Sequence, residues 1–241
     1  MGSKNLLFNL EGRAITSDEI HEKIAKFGFG YKEATQEIIQ NSKVLDKDGE
    51  VFVRCTARIL SNFGMTRSGP FKGVKMAENG NVNGKQILLE CWNQIGDGLI
   101  EIRKSVSNSG YSRDRYLLEL SKPERERLLA EIWLITKRLL PFTMGETSYG
   151  LVGASKMLFA VLPEIVLPVD NNQWLKVFKT VDIGDVINRM AIDIQEWENI
   201  TQHRLNEMDH SRMLTTLPSV YNVMAMDARP KGAKGSQESK I

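Results

Sequence analysis

The sequence is poor in the residues that bind metal ions or form disulfides. Its 241 residues include two cysteines, Cys55 and Cys91, and three histidines, His21, His203 and His210. Two cysteines are too few for a four-thiolate iron–sulfur cluster, and the scattered histidines lack the spacing of a zinc site. The cysteines lie far apart in apolar surroundings, which predicts buried free thiols. The sequence therefore predicts a protein that uses no metal or other cofactor.

Long apolar runs are also missing. No stretch approaches the roughly 20 residues that span a bilayer, and residues 1–5 do not open a signal peptide. Hydrophobic residues make up 41% of the chain and charged residues 26%, a composition typical of soluble globular proteins. We therefore predict a cytoplasmic monomer that does not contact membranes.

The body of the chain has no excess of positive charge. The net charge is +2, but residues 229–240 alone carry four basic residues and one acid, which leaves about −1 for the remainder. A nucleic-acid surface would therefore depend on local clusters of basic residues. Residues 228–241 have almost nothing to bury, which predicts a disordered basic tail after one globular domain at residues 1–227.

Helical patterns dominate that domain. Thr16-x-x-Glu19 and Ser121-x-x-Glu124 are capping boxes, each followed by apolar residues at helical spacing. The same spacing predicts helices over residues 50–62 and 85–106, and Asp182 is placed to cap another helix through Ile192. These elements predict an all-α fold.

The stretch from Ser61 to Gly84 departs from the helical pattern. It is rich in glycine and asparagine, and its basic residues, including Arg67 and Lys72, are interleaved with Phe63 and Phe71. Two interpretations stay open. The stretch is either a solvated flexible insertion or a basic loop with an aromatic tip that enters a DNA groove or lines a base pocket.

Residues 145–174 organise the rest of the chain. Gly150 and Gly153 predict a turn at which two helices meet closely, with a helix starting near Gly153 whose free N–H groups would suit a phosphate. Pro163 and Pro168 interrupt the apolar sequence that follows. Asp170 then lies at the start of the next helix, where a purely structural interpretation makes it an N-cap.

This order of elements resembles the helix-hairpin-helix DNA glycosylase superfamily. There the hairpin grips the DNA backbone, a lysine at its end distinguishes glycosylase-lyases, and an aspartate after a short apolar linker is catalytic. The resemblance covers about an eighth of the chain and assigns Lys156 to the lysine and Asp170, within Pro168-Val169-Asp170, to the aspartate. Asn171-Asn172 replaces the usual Thr-His. Because the iron–sulfur cluster is absent, the hairpin is short and the stretch 61–84 is unusual, the chain looks like an outlying member.

The resemblance implies a helical bundle of two closely joined lobes, with the hairpin and a cleft between them. It implies a base pocket and a DNA-contacting surface near the hairpin. For the pocket we expect Asn171, Asn172, Gln173, Trp174, Tyr149 and Phe142, and for contacts to double-stranded DNA we expect Gly150, Gly153, Ser155, Arg67 and Lys72.

The implied reaction is cleavage of the N-glycosidic bond of a flipped-out base, which leaves an abasic site. A carboxylate beside C1′ would stabilise the oxocarbenium-like transition state and orient water, which is the role expected for Asp170. Lys156 would either attack C1′ as an amine, giving lyase activity, or contact a phosphate. The base is a damaged one or a hypermodified cytosine, such as glucosylated hydroxymethylcytosine of phage DNA, whose removal would be an antiviral defence.

Two other functions stay open. A noncatalytic helical DNA-binding protein would use Asp170 only as a helix cap. A restriction-type endonuclease would need an acid two residues before a lysine, and the only Glu-x-Lys in the chain is Glu238-Ser239-Lys240, in the predicted tail.

Overall fold

Helices make up most of the structure, a computed structural model that describes residues 8–10 and 13–229. As predicted, the fold is mostly helical. The α-helices within those ranges are α1 Ser17–Lys26, α2 Phe29–Asn41, α3 Glu50–Asn62, α4 Gln86–Asn108, α5 Tyr116–Glu119, α6 Lys122–Leu139, α7 Ser148–Val161, α8 Ile183–Thr201 and α9 Leu217–Asp227.

Shorter elements connect these helices. Single 3-10 turns cover Arg113–Arg115, Leu140–Phe142 and Leu205–Glu207, and a π-helical segment covers Gln173–Phe178. Two antiparallel hairpins have strands of two residues each: β1 Asn9–Leu10 with β2 Arg13–Ala14, and β3 Lys75–Met76 with β4 Val82–Asn83. The contacts of α7 with α2, α3 and α6 place it in the middle of the apolar core.

The predicted helix starts agree closely with the structure. Both capping boxes form, at Thr16 and Glu19 for α1 and at Ser121 and Glu124 for α6. The Asp182 carboxylate accepts a hydrogen bond from the Gly184 N–H and caps α8. This helix continues nine residues beyond the predicted end at Ile192, because its apolar face continues to the fully buried Trp197.

The predicted turn at Gly150 and Gly153 is wrong, because both glycines lie inside α7. The turn lies earlier in the chain, between Leu140 and Thr147. Within this turn, Gly145 adopts a left-handed backbone conformation with φ +68°. A Cβ on Gly150 would lie 2.0 Å from the Gly145 carbonyl oxygen, so glycine is needed there for close packing of the helix against the turn.

We expect Gly150→Ala to lower the free energy of unfolding by about 1–3 kcal/mol, because rigid backbone would have to move. Gly30→Ala is the matched control. Its Cβ would meet only the Asn62 Oδ1 atom, at 3.4 Å, so we expect it to be neutral or to stabilise by about 0.5 kcal/mol. Urea denaturation of the two variants measures the difference, and equal midpoints would contradict the packing role of Gly150.

The stretch 61–84 is anchored rather than free, and its predicted aromatic tip is wrong. Phe71 is buried and packs against α7, where its Cε2 atom lies 3.5 Å from the position of a Cβ on Gly153. Strands β3 and β4 form a small hairpin in the same stretch. Arg67 and Lys72 are exposed, so both basic side chains are accessible, as a contact with DNA would require.

The remaining predictions concern the cysteines, the tail and membranes. Cys55 and Cys91 are buried free thiols, as predicted, and burial raises the pKa of each to about 12. The predicted tail begins within the described residues at Ala228 and Arg229, whereas residues 230–241 lie outside them. In the part of the chain that the structure covers, no helix has both the length and the apolarity to cross a membrane.

A buried ionic network fixes the linker that follows α7. The Glu164 carboxylate is fully buried and is paired with the guanidinium groups of Arg103 and Arg113. Arg113 also donates to the Ile39 carbonyl and to the Ser42 hydroxyl at the end of α2. The linker between α7 and Asp170 is therefore tied to both α4 and α2.

Candidate functional site

A hydroxyl group on α7 holds the residue that precedes Asp170. The Ser155 Oγ atom lies 3.1 Å from the Val169 backbone nitrogen, which donates to it, and 3.2 Å from the Val169 carbonyl oxygen. The next residues on the two segments are Lys156 and Asp170. The contact joins α7 to the segment that carries Asp170, and the charge of Asp170 acts on the Lys156 ammonium.

Asp170 begins a helical turn and is held on both carboxylate oxygens. Its Oδ1 atom accepts from the Gln173 N–H at 2.8 Å, while the Gln173 side chain accepts from the Asp170 N–H at 2.6 Å. Its Oδ2 atom lies 2.5 Å from the Arg229 guanidinium, which donates to it. The side chain remains 23% exposed, so the carboxylate borders solvent beside a cation.

Lys156 is a buried cation next to this carboxylate. The residue is 5% exposed, and its ammonium lies 4.4 Å from the ring centroid of Phe63, in a cation–π contact. Within the described residues no carboxylate lies close enough for an ion pair with it. Burial lowers the pKa of Lys156 to about 8, and the charge of Arg229 acts in the same direction, whereas that of Asp170 opposes it.

This pKa makes stability depend on pH. The unfolded lysine keeps its proton up to about pH 10.5, while the folded one releases it near pH 8, so the unfolded state binds more protons between these values. The free energy of unfolding should therefore rise with pH in that window, by about 3 kcal/mol from this group. Lys156→Met should be more stable than wild type at pH 7 and lose the advantage toward pH 10.5.

Urea titrations of wild type and variant at several pH values measure this difference. Lys122→Met, at a side chain that is 81% exposed, is the matched control for the loss of one lysine. A wild-type to Lys156→Met difference that stayed constant from pH 7 to 10.5 would contradict a buried amine of lowered pKa.

Arg229 connects Asp170 to a surface groove of about 480 Å³ between α1 and the end of α9. The Nε atom of Arg229 donates to the Met226 carbonyl at 3.0 Å, which holds the side chain against the helix end. The groove walls combine basic, acidic and apolar side chains, including Lys23, Lys26, Phe27, Met226, Asp227 and Arg229. Asp170 itself does not line the groove and is linked to it through Arg229.

The residues predicted for the base pocket divide into two groups. Gln173 and Trp174 are fully buried and Asn171 is 8% exposed, so these three belong to the packed interior of this structure. Asn172, Tyr149 and Phe142 are half-buried and stay partly accessible. Gln173 has a structural task, because it completes the cap of Asp170 and donates to Asn222 on α9.

The residues predicted to contact DNA also divide. Gly150, Gly153 and Ser155 are buried, so none of the three can touch a DNA backbone in this structure. Their roles are close packing and, for Ser155, the placement of Val169. Arg67 and Lys72 are exposed on the stretch 61–84.

Two side chains on the helical turn after Asp170 have a buried polar atom without a hydrogen-bond partner, namely the Asn172 Oδ1 and Trp174 Nε1 atoms. Similar atoms occur elsewhere in the described residues, for example on Thr35 and Thr56, so this feature does not distinguish the site. No group of three or more metal-ligating side chains occurs within the described ranges, and Glu238-Ser239-Lys240 lies outside them.

The sequence did not identify two members of this site. Arg229 lies in the predicted tail, and nothing in its local sequence distinguishes it from the other basic residues there. Phe63 contacts Lys156, but its position in the stretch 61–84 gives no sequence signal for that contact. By contrast, the spacing Asp170-x-x-Gln173 is a capping-box pattern and could have predicted the fixed carboxylate.

Comparisons with family models, with curated proteins and with solved structures found no match to this chain.

Proposed function

We propose that this protein is a DNA glycosylase that removes a modified or damaged base from double-stranded DNA. The observation that carries the proposal is the Asp170 carboxylate, which is fixed at a helix start, partly exposed and accompanied by Arg229 and the buried Lys156. A carboxylate that is held rigidly and remains partly open to solvent suits N-glycosidic cleavage, because positive charge develops on the sugar in the transition state.

The proposed reaction begins when the target nucleotide leaves the base stack and its C1′ reaches Asp170. The C1′–N bond breaks, its electron pair goes to the base, and the base takes up a proton. The carboxylate stabilises the cationic sugar and orients a water molecule. Water then forms a bond to C1′ and loses a proton, which leaves an abasic site.

Lys156 fits an additional lyase step. With a pKa of about 8, a measurable fraction of its amine is neutral near pH 7. The residue is only 5% exposed, so DNA binding would have to uncover the amine before it could attack C1′. The amine attacks the C1′ aldehyde of the ring-opened abasic site, and water leaves to form a Schiff base. Reduction of this Schiff base with borohydride leaves a covalent protein–DNA adduct. An adduct that still forms with Lys156→Ala would exclude this lysine as the nucleophile.

The order of elements supports membership of the helix-hairpin-helix superfamily. Helices α6 and α7 meet at the turn of residues 140–147, and a short linker leads from α7 to Asp170. We place the DNA backbone at this turn and at the exposed Arg67 and Lys72. The cleft between two lobes would lie where α1 and α9 meet near Arg229. The hypermodified cytosines of phage DNA are the substrates that we test first.

A noncatalytic DNA-binding protein is the second candidate, and one observation favours it. Both oxygens of Asp170 already have protein partners, Gln173 on one side and Arg229 on the other. A carboxylate that only capped a helix and held a C-terminal arginine would have the same contacts.

An assay for abasic sites separates the candidates. Purified full-length protein is incubated with a panel of duplexes that contain damaged bases, hydroxymethylcytosine or glucosylated hydroxymethylcytosine, with and without EDTA. We expect alkali-labile sites in at least one duplex, undiminished by EDTA. Cleavage that needs a divalent metal would indicate a nuclease, and binding without any product would favour the noncatalytic protein.

A further inference from the structure

The guanidinium of Arg229 has an unused edge. Its Nε and Nη1 atoms donate to the Met226 carbonyl at 3.0 Å and to Asp170 Oδ2 at 2.5 Å. No described residue accepts a hydrogen bond from its Nη2 atom, and the side chain is 35% exposed. The protein therefore orients the guanidinium, and its Nη2 atom can still donate hydrogen bonds to another anion.

Every basic side chain of the groove between α1 and α9 is paired in this structure. Lys23 is paired with Asp227, and Lys26 with Glu22 on the same helix. Arg229 differs from both lysines because its partner is the candidate catalytic carboxylate. A change in the partner of Arg229 therefore changes the charge at the site itself.

The contact of Arg229 with Asp170 opposes the proposed chemistry. A guanidinium on the carboxylate offsets the negative charge that has to stabilise a cationic sugar, and it occupies the approach to Oδ2. An arginine binds a phosphate with two parallel hydrogen bonds, and a partly exposed ion pair is weak enough to be exchanged. In DNA a phosphate lies only a few bonds from C1′ of the same nucleotide.

We propose that Arg229 is a positioning residue that exchanges Asp170 for a backbone phosphate of the extruded nucleotide when DNA binds. The exchange holds the sugar at the site and frees the Oδ2 atom of Asp170. This inference rests on the proposed function for the identity of the ligand. Its test measures binding, so that it does not depend on base release.

The test is a double-mutant cycle with wild type, Asp170→Asn, Arg229→Ala and the double variant. The probe is a duplex with one tetrahydrofuran abasic analogue, which the protein cannot process, and affinity is measured over a range of salt concentrations. We expect Arg229→Ala to bind about tenfold more weakly, with a salt slope reduced by about one. Asp170→Asn should bind about fivefold more tightly, because Arg229 is released, and the gain should vanish in the double variant.

Two further variants serve as controls. Arg204→Ala removes a positive charge from a side chain that is 64% exposed, and it should leave the affinity for the abasic analogue nearly unchanged. Arg229→Lys keeps the charge but not the planar fork, so its salt slope should match wild type while its affinity is intermediate. This variant also keeps the test valid if Arg229→Ala fails to fold.

Two results would overturn the inference. One is a gain from Asp170→Asn that persists in the Arg229→Ala background, and the other is tighter binding by Arg229→Ala alone, which would make the arginine an inhibitory contact. If wild type releases no base from any duplex, the glycosylase proposal fails, whereas the binding cycle still decides the role of Arg229.

Discussion

Replacing Asp170 by asparagine is expected to lower the single-turnover rate of base release by about two to three orders of magnitude. Asparagine is as good an N-cap as aspartate, so its Oδ1 atom can still accept from the Gln173 N–H. The substitution therefore removes the charge and leaves the cap in place. The rate is measured on the panel duplex that wild type cleaves, with enzyme in excess.

Asp182 provides a matched control for this prediction. Its carboxylate caps α8 through the Gly184 N–H at 2.7 Å, and Asp182→Asn makes the same chemical change at a helix start outside the site. We expect Asp182→Asn to retain the wild-type rate. Base release that is equally fast in wild type and Asp170→Asn would remove the proposed mechanism and leave Asp170 as a cap.

Much of the fold could be predicted because its signals are local. A capping box such as Thr16 with Glu19 specifies a helix start within four residues, and α3 begins and ends where its apolar spacing predicts. The prediction of a turn at Gly150 is wrong because a glycine can serve either a turn or a close contact. Only the carbonyl of Gly145, brought near by tertiary packing, decides between them.

In the candidate site, too, the features with local sequence signals could be predicted and those that depend on tertiary contacts could not. Asp170 at a helix start and Lys156 on the preceding helix could be predicted from proline positions and residue order. Arg229 could not, because 58 residues separate it from Asp170 and only the path of α9 brings them together. The burial of Trp174 could not be predicted either, because an aromatic residue near a catalytic candidate has the same sequence pattern whether it faces solvent or the core.

Glu164→Gln is expected to destabilise the protein by about 3–5 kcal/mol. The wild-type carboxylate is fully buried between Arg103, itself only 5% exposed, and Arg113. Glutamine has nearly the same shape but no charge, so the variant would leave a buried guanidinium without its counter-ion. Burial already lowers the pKa of Arg103, and the attraction of Glu164 is what opposes that effect.

Urea denaturation of Glu164→Gln measures this loss, and Glu101→Gln is the control because its ion pair with Lys104 is exposed and should contribute little. The effect should reach the site as well. Glu164 lies in the linker between α7 and Asp170, so the Val169 amide, held by Ser155 in wild type, should exchange its hydrogen faster in the variant. A Glu164→Gln protein with wild-type stability and a protected Val169 amide would show that Ser155 positions Asp170 without help from the ionic network.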